Sequence, residues 1–494
     1  LLTGLRMPSL MPQTASMPLF PAPQTADTLR AQHGERYPWL VLLVMALGII
    51  SAVLCTTSFA VAIPAMMQRY GIGQEQAQWT MTGFMAAMAV GMLPAPWLLE
   101  RIGFRKLFLG SSALLLASSL AGALGASWMG FSGIVVVRIL QGVAAGVMQP
   151  LGTLAVMRLF QPHEQGRASG ILGFGIVLAP AVAPSLGGML LDMFSWSAIF
   201  WLGVPTGVAA LWLAARWLPL PREITRRSFD WIGVLLLTGA TLAMIEGISS
   251  LQHSGLLAPG TLLLSAAAVI LLGLFVLHAR RIEHPIIRLE LFQQARFSMS
   301  VVVFFAYGFG IYASSYLIPV FMLQALHYSA TAAGTALVPS GIVLALVIPV
   351  AGRMADKYSP LLVTAIGLAL FFASSVMLAV FATHISYSEI VVATIVGRFG
   401  LGMILPALSV AALRTLQPAQ MSQASVVTSY ARQLGGVLGI AMAAVFVAWR
   451  EMAYQGQPDG VAHAYGDGFL LVAGMYLVAL LAAWFMRGGR KPAC

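Results

Sequence analysis

Fourteen runs of about 20 mostly apolar residues follow one another from Trp39 to Met486, each long enough to cross the hydrocarbon core of a bilayer. In lipid every backbone N–H and C=O must be satisfied within the segment, so a run of this length crosses as a helix. The chain is therefore expected to be an all-α polytopic membrane protein with 14 transmembrane helices, at residues 39–66, 78–99, 107–126, 131–154, 168–191, 197–217, 231–250, 261–279, 297–323, 331–352, 360–381, 388–413, 424–449 and 467–486. Charged residues make up only 9% of the chain, against about 25% in a soluble protein, which excludes a soluble domain.

The net charge of +11 would suggest nucleic acid as a partner if its distribution did not explain it otherwise. With both ends on the cytoplasmic side, the tails and inner loops hold 22 of the 27 basic residues. Only Arg69 and Arg450 fall outside, while Arg138, Arg398 and Arg432 lie within spans. That is the positive-inside pattern of a bacterial inner-membrane protein, and it requires no nucleic acid. Residues 1–37, rich in Pro, Gln, Thr and Ala, read as a flexible cytoplasmic tail, as do 487–494.

Residues 38–217 and 297–486 read as two six-helix halves, because Arg138-x3-Gly142 is echoed by Arg398-x3-Gly402 eight spans later. Residues 218–296 are then an inserted helix pair with a cytoplasmic linker. The fourth span, RILQGVAAGVMQP, sets Arg138, Gly142, Gly146 and Pro150 along one helix face. A cation at this depth needs a protein interior or a wet cavity. Arg138 is either a structural group bonded to carbonyls of a bent helix, or a charge that tunes a protonatable neighbour or binds an anionic group. Arg398 and Arg432 leave the same two readings open.

Span one interrupts its apolar run with Cys55, Thr56, Thr57 and Ser58, which read either as helix packing or as a cavity lining opposite Arg138. Phe84 and Met88 in span two, Gln141 in span four, and Tyr312 and Tyr316 in span nine complete the expected substrate cavity. The loop ERIGFRK carries Glu100, Arg101, Arg105 and Lys106; its counterpart GRMADKYS carries Asp356. Both are expected to form inner latches, with the loop-two cations hydrated. Glu246 is the one carboxylate clearly inside a span, near its outer end. The scattered histidines offer no metal-ligand spacing, and no G-x-x-x-x-G-K-[ST] loop is present, so neither enzyme chemistry nor a cofactor is expected.

These motifs resemble those of the major facilitator superfamily, specifically its 14-span drug:proton antiporter family of multidrug efflux proteins. ERIGFRK is similar to the loop-two signature and RILQGVAAGVMQP to the span-four signature. APAVAPSLGG, with Pro184, Gly187 and Gly188, is similar to the antiporter motif of span five. YLIPVFMLQALHYSATAAGTALVP and RQLGGVLG resemble stretches of the 14-span group. The resemblance implies proton-coupled export of hydrophobic or amphiphilic compounds by alternating access, with Arg138 aiding proton coupling and the span-five motif limiting leakage between the halves. In some members it also implies a periplasmic adaptor and an outer-membrane channel. One departure bears on mechanism: CTTSFAVAIP puts Cys55 where the family has an aspartate. The displaced proton carrier would be Glu246, Glu75 or Asp467. The alternative is a uniporter or importer of the same fold for a neutral or anionic amphiphile, without proton antiport.

Overall fold

The computed structural model describes residues 25–486 apart from 126, 221–227, 256 and 415. Thr57, Glu75, Pro184 and Gly188 lie in helices but outside the residues described at side-chain level, and the expected tails at 1–24 and 487–494 lie outside altogether. The described helices are α1 (Ala26–His33), α2 (Tyr37–Thr57), α3 (Ile63–Tyr70), α4 (Gln74–Met92), α5 (Ala95–Gly125), α6 (Phe131–Leu159), α7 (Gln165–Met193) and α8 (Val204–Trp217). They continue with α9 (Trp231–Ser254), α10 (Pro259–Ala279), α11 (Ala295–Gln324), α12 (Ala330–Lys357), α13 (Pro360–Val380), α14 (Tyr387–Leu413), α15 (Pro418–Ala453) and α16 (Gly460–Phe485). Twelve described helices are long and apolar enough to cross a membrane, and Trp79–Met92 is a shorter apolar one. The 29-residue α7 occupies the expected fifth position.

The first span is not one straight helix. Thr56 Oγ1 donates to Ala52 O at 2.9 Å and Ser58 Oγ to Leu54 O at 2.6 Å, so hydroxyls compete for carbonyls of the last turn. Pro64 then supplies no N–H, and the chain passes through a 3-10 segment, Ser58–Ala62, before α3. The expected loop between spans two and three is helical as well. It belongs to α5 and is broken at Gly103, whose φ of 81° is readily adopted only by glycine.

In the first half α6 packs against α4, α5 and α2, while α2 also meets α7 and α8. Close approach of α4 and α6 depends on the small residues of span four: a Cβ on Gly146 would stand 2.2 Å from Met88 O. In the second half α11 packs on α15 and α16, and α14 lies between α12 and α13. The halves meet chiefly where α7 crosses α12. Helices α9 and α10 pair with each other, and α9 touches α4 and α15. Only 11% of the apolar window of α10 is buried, so its side chains face outward.

Candidate functional site

Arg138, two turns into the 29-residue α6, is 1% exposed. Its Nε donates to Thr80 O at 3.0 Å, and its Nη1 donates to Cys55 O at 2.8 Å and Gln141 Oε1 at 2.9 Å. Gln141 Nε2 in turn donates to Ser119 Oγ at 2.8 Å, and Cys55 Sγ lies 3.9 Å from that hydroxyl. The guanidinium sits between two rings, 4.2 Å from the centroid of Phe59 and 4.3 Å from that of Phe84. Cys55 O is exposed to this donor because the helix of span one unwinds there. The arginine thus binds three elements together at the bend, and Cys55, Phe84, Met88 and Gln141, expected to line a cavity, are fully buried in this packing.

The matching arginine of the second half is placed differently. Arg398, midway along α14, keeps partial accessible surface. Its Nη2 donates to Ser315 Oγ on α11 at 2.8 Å. Tyr312 and Tyr316, on the same helix as Ser315, are half-buried. Between the halves, Arg432 Nη2 on α15 donates to Gln149 Oε1 on α6 at 2.6 Å, and Gln149 Nε2 reaches Met88 Sδ at 3.8 Å. Three guanidinium groups therefore lie within the bundle, Arg138 two turns into α6 and Arg398 and Arg432 nearer the middle of their helices.

Among the described residues no carboxylate is ion-paired with any of the three. Glu246 is exposed on the peripheral α9. Asp467 accepts from Arg450 Nε at 2.5 Å and from Tyr454 OH at 3.0 Å, toward the end of the bundle opposite the basic loops. The remaining described acids lie toward helix ends or in connections. No group of three or more His, Cys, Asp or Glu among the described residues could hold a metal ion.

At the basic end, Asp356 at the close of α12 accepts from Gly166 N and Arg167 N, each at 2.7 Å, across the boundary between halves. This caps the first turn of α7 with a negative charge, where free N–H groups and the helix dipole favour one. Arg414 donates to Pro162 O and lies 3.8 Å from Asp356 Oδ1. The backbones touch: a Cβ on Gly166 would stand 2.3 Å from Gly352 O, and one on Gly352 equally near Gly166 O. Ser425 Oγ adds a bond to Pro150 O at 2.8 Å.

The loop-two copy is arranged otherwise. Arg105, expected to be hydrated, is 8% exposed and donates to Leu218 O at 2.7 Å and Ala215 O at 2.6 Å, closing the end of α8 within its own half. Those carbonyls have no further helical turn to supply donors, and a buried guanidinium meets that need. Arg101 is exposed with its charge 4.9 Å from the Trp97 ring centroid. Glu100 is half-buried within electrostatic reach of Arg158, in a small pocket it shares with His284, Arg288 and Gln423. In α7, Gly187 abuts Ser58 of span one, so the described contact with α12 falls at Gly166, Gly170 and Gly173 instead of at the span-five motif.

Sequence reasoning did not single out Gln433, on α15, or Tyr476, on α16. Both are buried, as is Tyr307 on α11, and their side-chain polar atoms have no hydrogen-bond partner among the described residues. A polar residue amid small residues, as Gln433 is in RQLGGVLG, was the available signal.

A bundle of long apolar helices with guanidinium groups inside it and a bonded contact between α7 and α12 at its basic end has the architecture of a membrane transporter. The chain belongs to the Major Facilitator Superfamily, whose family model matches residues 45–440 and 300–493. The Multidrug resistance protein B homolog of Mycobacterium tuberculosis is 31% identical over 414 residues, covering 82% of this chain and 76% of that one. Two solved structures share the fold. The human organic anion transporter MFSD10 has a TM-score of 0.64 at 15% identity, covering 90% of this chain and 99% of that chain. The proton:xylose symporter XylE has a TM-score of 0.66 at 14% identity, covering 91% and 95%. The protein is accordingly a transporter and not an enzyme, and the fold by itself leaves substrate and direction open.

Proposed function

We propose that the protein is a secondary transporter of small neutral or anionic amphiphiles, working by alternating access across a bacterial inner membrane. The observation that carries this reading is the charge within the bundle: Arg138, Arg432 and Arg398 lie there, and Glu246, the carboxylate expected inside a span, is exposed on peripheral α9. A cationic solute entering that space would meet like charge at low dielectric without a compensating acid. The basic end is cytoplasmic by the positive-inside pattern, and both chain ends lie on that side. The architecture is that of the 14-span group, with two six-helix halves at 38–217 and 297–486 and residues 218–296 as an inserted pair and linker. Asp356 and Arg414 serve as the cytoplasmic latch, whose breakage lets the halves rock.

A second reading, proton-coupled export of hydrophobic drugs, is favoured by the name of the M. tuberculosis relative and by the span-five motif. It needs a proton carrier that Cys55 does not replace. Reconstitution in liposomes with an internal pH reporter separates the two. Anionic and neutral amphiphiles are expected to cross and to compete with each other without moving protons. Flux of hydrophobic cations alone, each exchanged for protons, would overturn the first reading in favour of the second.

A further inference from the structure

The buried polar groups of the second half gather around Arg398. Tyr307 lies midway along α11, with its hydroxyl lacking a partner among the described residues. Tyr476 comes to the same place from α16: a Cβ on Gly310, one turn along α11 from Tyr307, would stand 2.4 Å from the Tyr476 hydroxyl. Arg398 reaches α11 at Ser315, five residues on from Gly310, and its neighbour Gly397 faces the Phe371 ring that packs on Tyr476, while Gly308, next to Tyr307, abuts Arg432 O of α15. Tyr476 is held in orientation by Phe371, whose ring centroid is 4.2 Å away, and Arg398 by Ser315. Burying a hydroxyl without a partner costs about 1–3 kcal/mol, so two phenols beside one guanidinium call for a ligand or solvent to complete them.

From this arrangement, and resting on the reading of the protein as a carrier of neutral or anionic amphiphiles, we propose that Arg398, Tyr307 and Tyr476 form the site that receives the carboxylate of an amphiphilic substrate. All three are donors. A carboxylate offers only acceptors, can take two N–H groups of a guanidinium at once, and has lone pairs left for phenols. Tyr312 and Tyr316, half-buried on the helix that presents Ser315, supply aromatic wall for the apolar body of such a molecule. Arg138 is held otherwise: two carbonyls and Gln141 take its Nε and Nη1 and two rings cover its faces, which leaves only the buried Nη2 without a partner among the described residues.

The test uses the purified full chain in liposomes with three radiolabelled probes of one shape: 2-naphthylacetate, 2-naphthylacetamide and 2-naphthylmethylammonium. Wild type is expected to take up the carboxylate in preference to the amide, and the ammonium least. Arg398→Gln is expected to lower carboxylate uptake roughly tenfold or more while leaving amide uptake within about twofold, and Tyr307→Phe and Tyr476→Phe to lower carboxylate affinity roughly three- to tenfold each. The phenylalanine variants keep the ring packing, so the proposal does not hang on a variant that fails to fold. Carboxylate preference unchanged in all three variants would overturn the site while leaving the transporter reading intact. Higher thermal stability of the phenylalanine variants with unchanged selectivity would assign those hydroxyls to solvent and overturn it equally. A wild type that moves only the ammonium, or that moves neither carboxylate nor amide, would overturn the underlying reading as well.

Discussion

Arg138 and Arg398 occupy matching places in an echoed sequence, each four residues before a glycine inside a long helix, and their surroundings differ. In the first half the guanidinium is 1% exposed and meets Thr80 O, Cys55 O and Gln141 between two aromatic rings. In the second half it keeps accessible surface, bonds to Ser315, and has unsatisfied phenols for neighbours. A cation inside the bundle is tolerated in either setting, but for different reasons: carbonyls, an amide oxygen and ring faces solvate the first, and the second keeps accessible surface beside a hydroxyl. Depth in the membrane thus says that an arginine matters without saying whether it holds the fold or meets the cargo.

The largest expected effect follows from the first setting. Arg138→Ala strips Cys55 O, Thr80 O and Gln141 of a shared donor inside the protein. It should destabilise the first half by about 3 kcal/mol or more, read as a lowered midpoint in denaturant unfolding followed by circular dichroism. Arg105→Ala removes two charge-assisted bonds that close α8 and should cost about 2 kcal/mol in the same assay. Neither loss should alter which solute is preferred; a change in preference without loss of stability would erase the contrast between the halves.

Asp356→Ala removes the cap that joins α7 to α12 and is expected to cost about 1 kcal/mol, enough to shift the balance between latched and open cytoplasmic ends roughly fivefold. A cysteine introduced at Ser425, in a chain with Cys55 and Cys494 replaced by serine, should then react faster with an impermeant thiol reagent. Equal labelling with and without the Asp356 side chain would show that the latch does not hold the halves together. Arg101→Ala, at an exposed position over Trp97, should change stability by about 0.5 kcal/mol or less. The difference between Arg101 and Arg105 sharpens the distinction between a topological charge and a structural one within a single loop.

The fold was legible because length and apolarity leave a membrane-crossing run little choice, and the expected spans fall on helical chain among the described residues, twelve of the described helices being long and apolar enough to cross. Boundaries shifted where polar sequence still makes helix: ERIGFRK was expected as a loop, yet it continues α5 through a break at Gly103. The candidate site was legible in part. Arg398, Tyr312 and Tyr316 stood out as charge and aromatics inside a span. Tyr476 did not, because one tyrosine in an apolar helix looks like packing until its neighbours from α11 and α14 are known. The partners of Arg105 are backbone carbonyls more than 100 residues away, and carbonyls carry no residue signature.

The claim that the two arginines have parted roles is tested most directly by comparing Arg138→Gln with Arg398→Gln in one preparation, measuring the unfolding midpoint and the uptake ratio of 2-naphthylacetate to 2-naphthylacetamide. The account predicts that Arg138→Gln lowers the midpoint and keeps the ratio in whatever protein remains folded, while Arg398→Gln keeps the midpoint and collapses the ratio. A ratio lost in Arg138→Gln and retained in Arg398→Gln would contradict it.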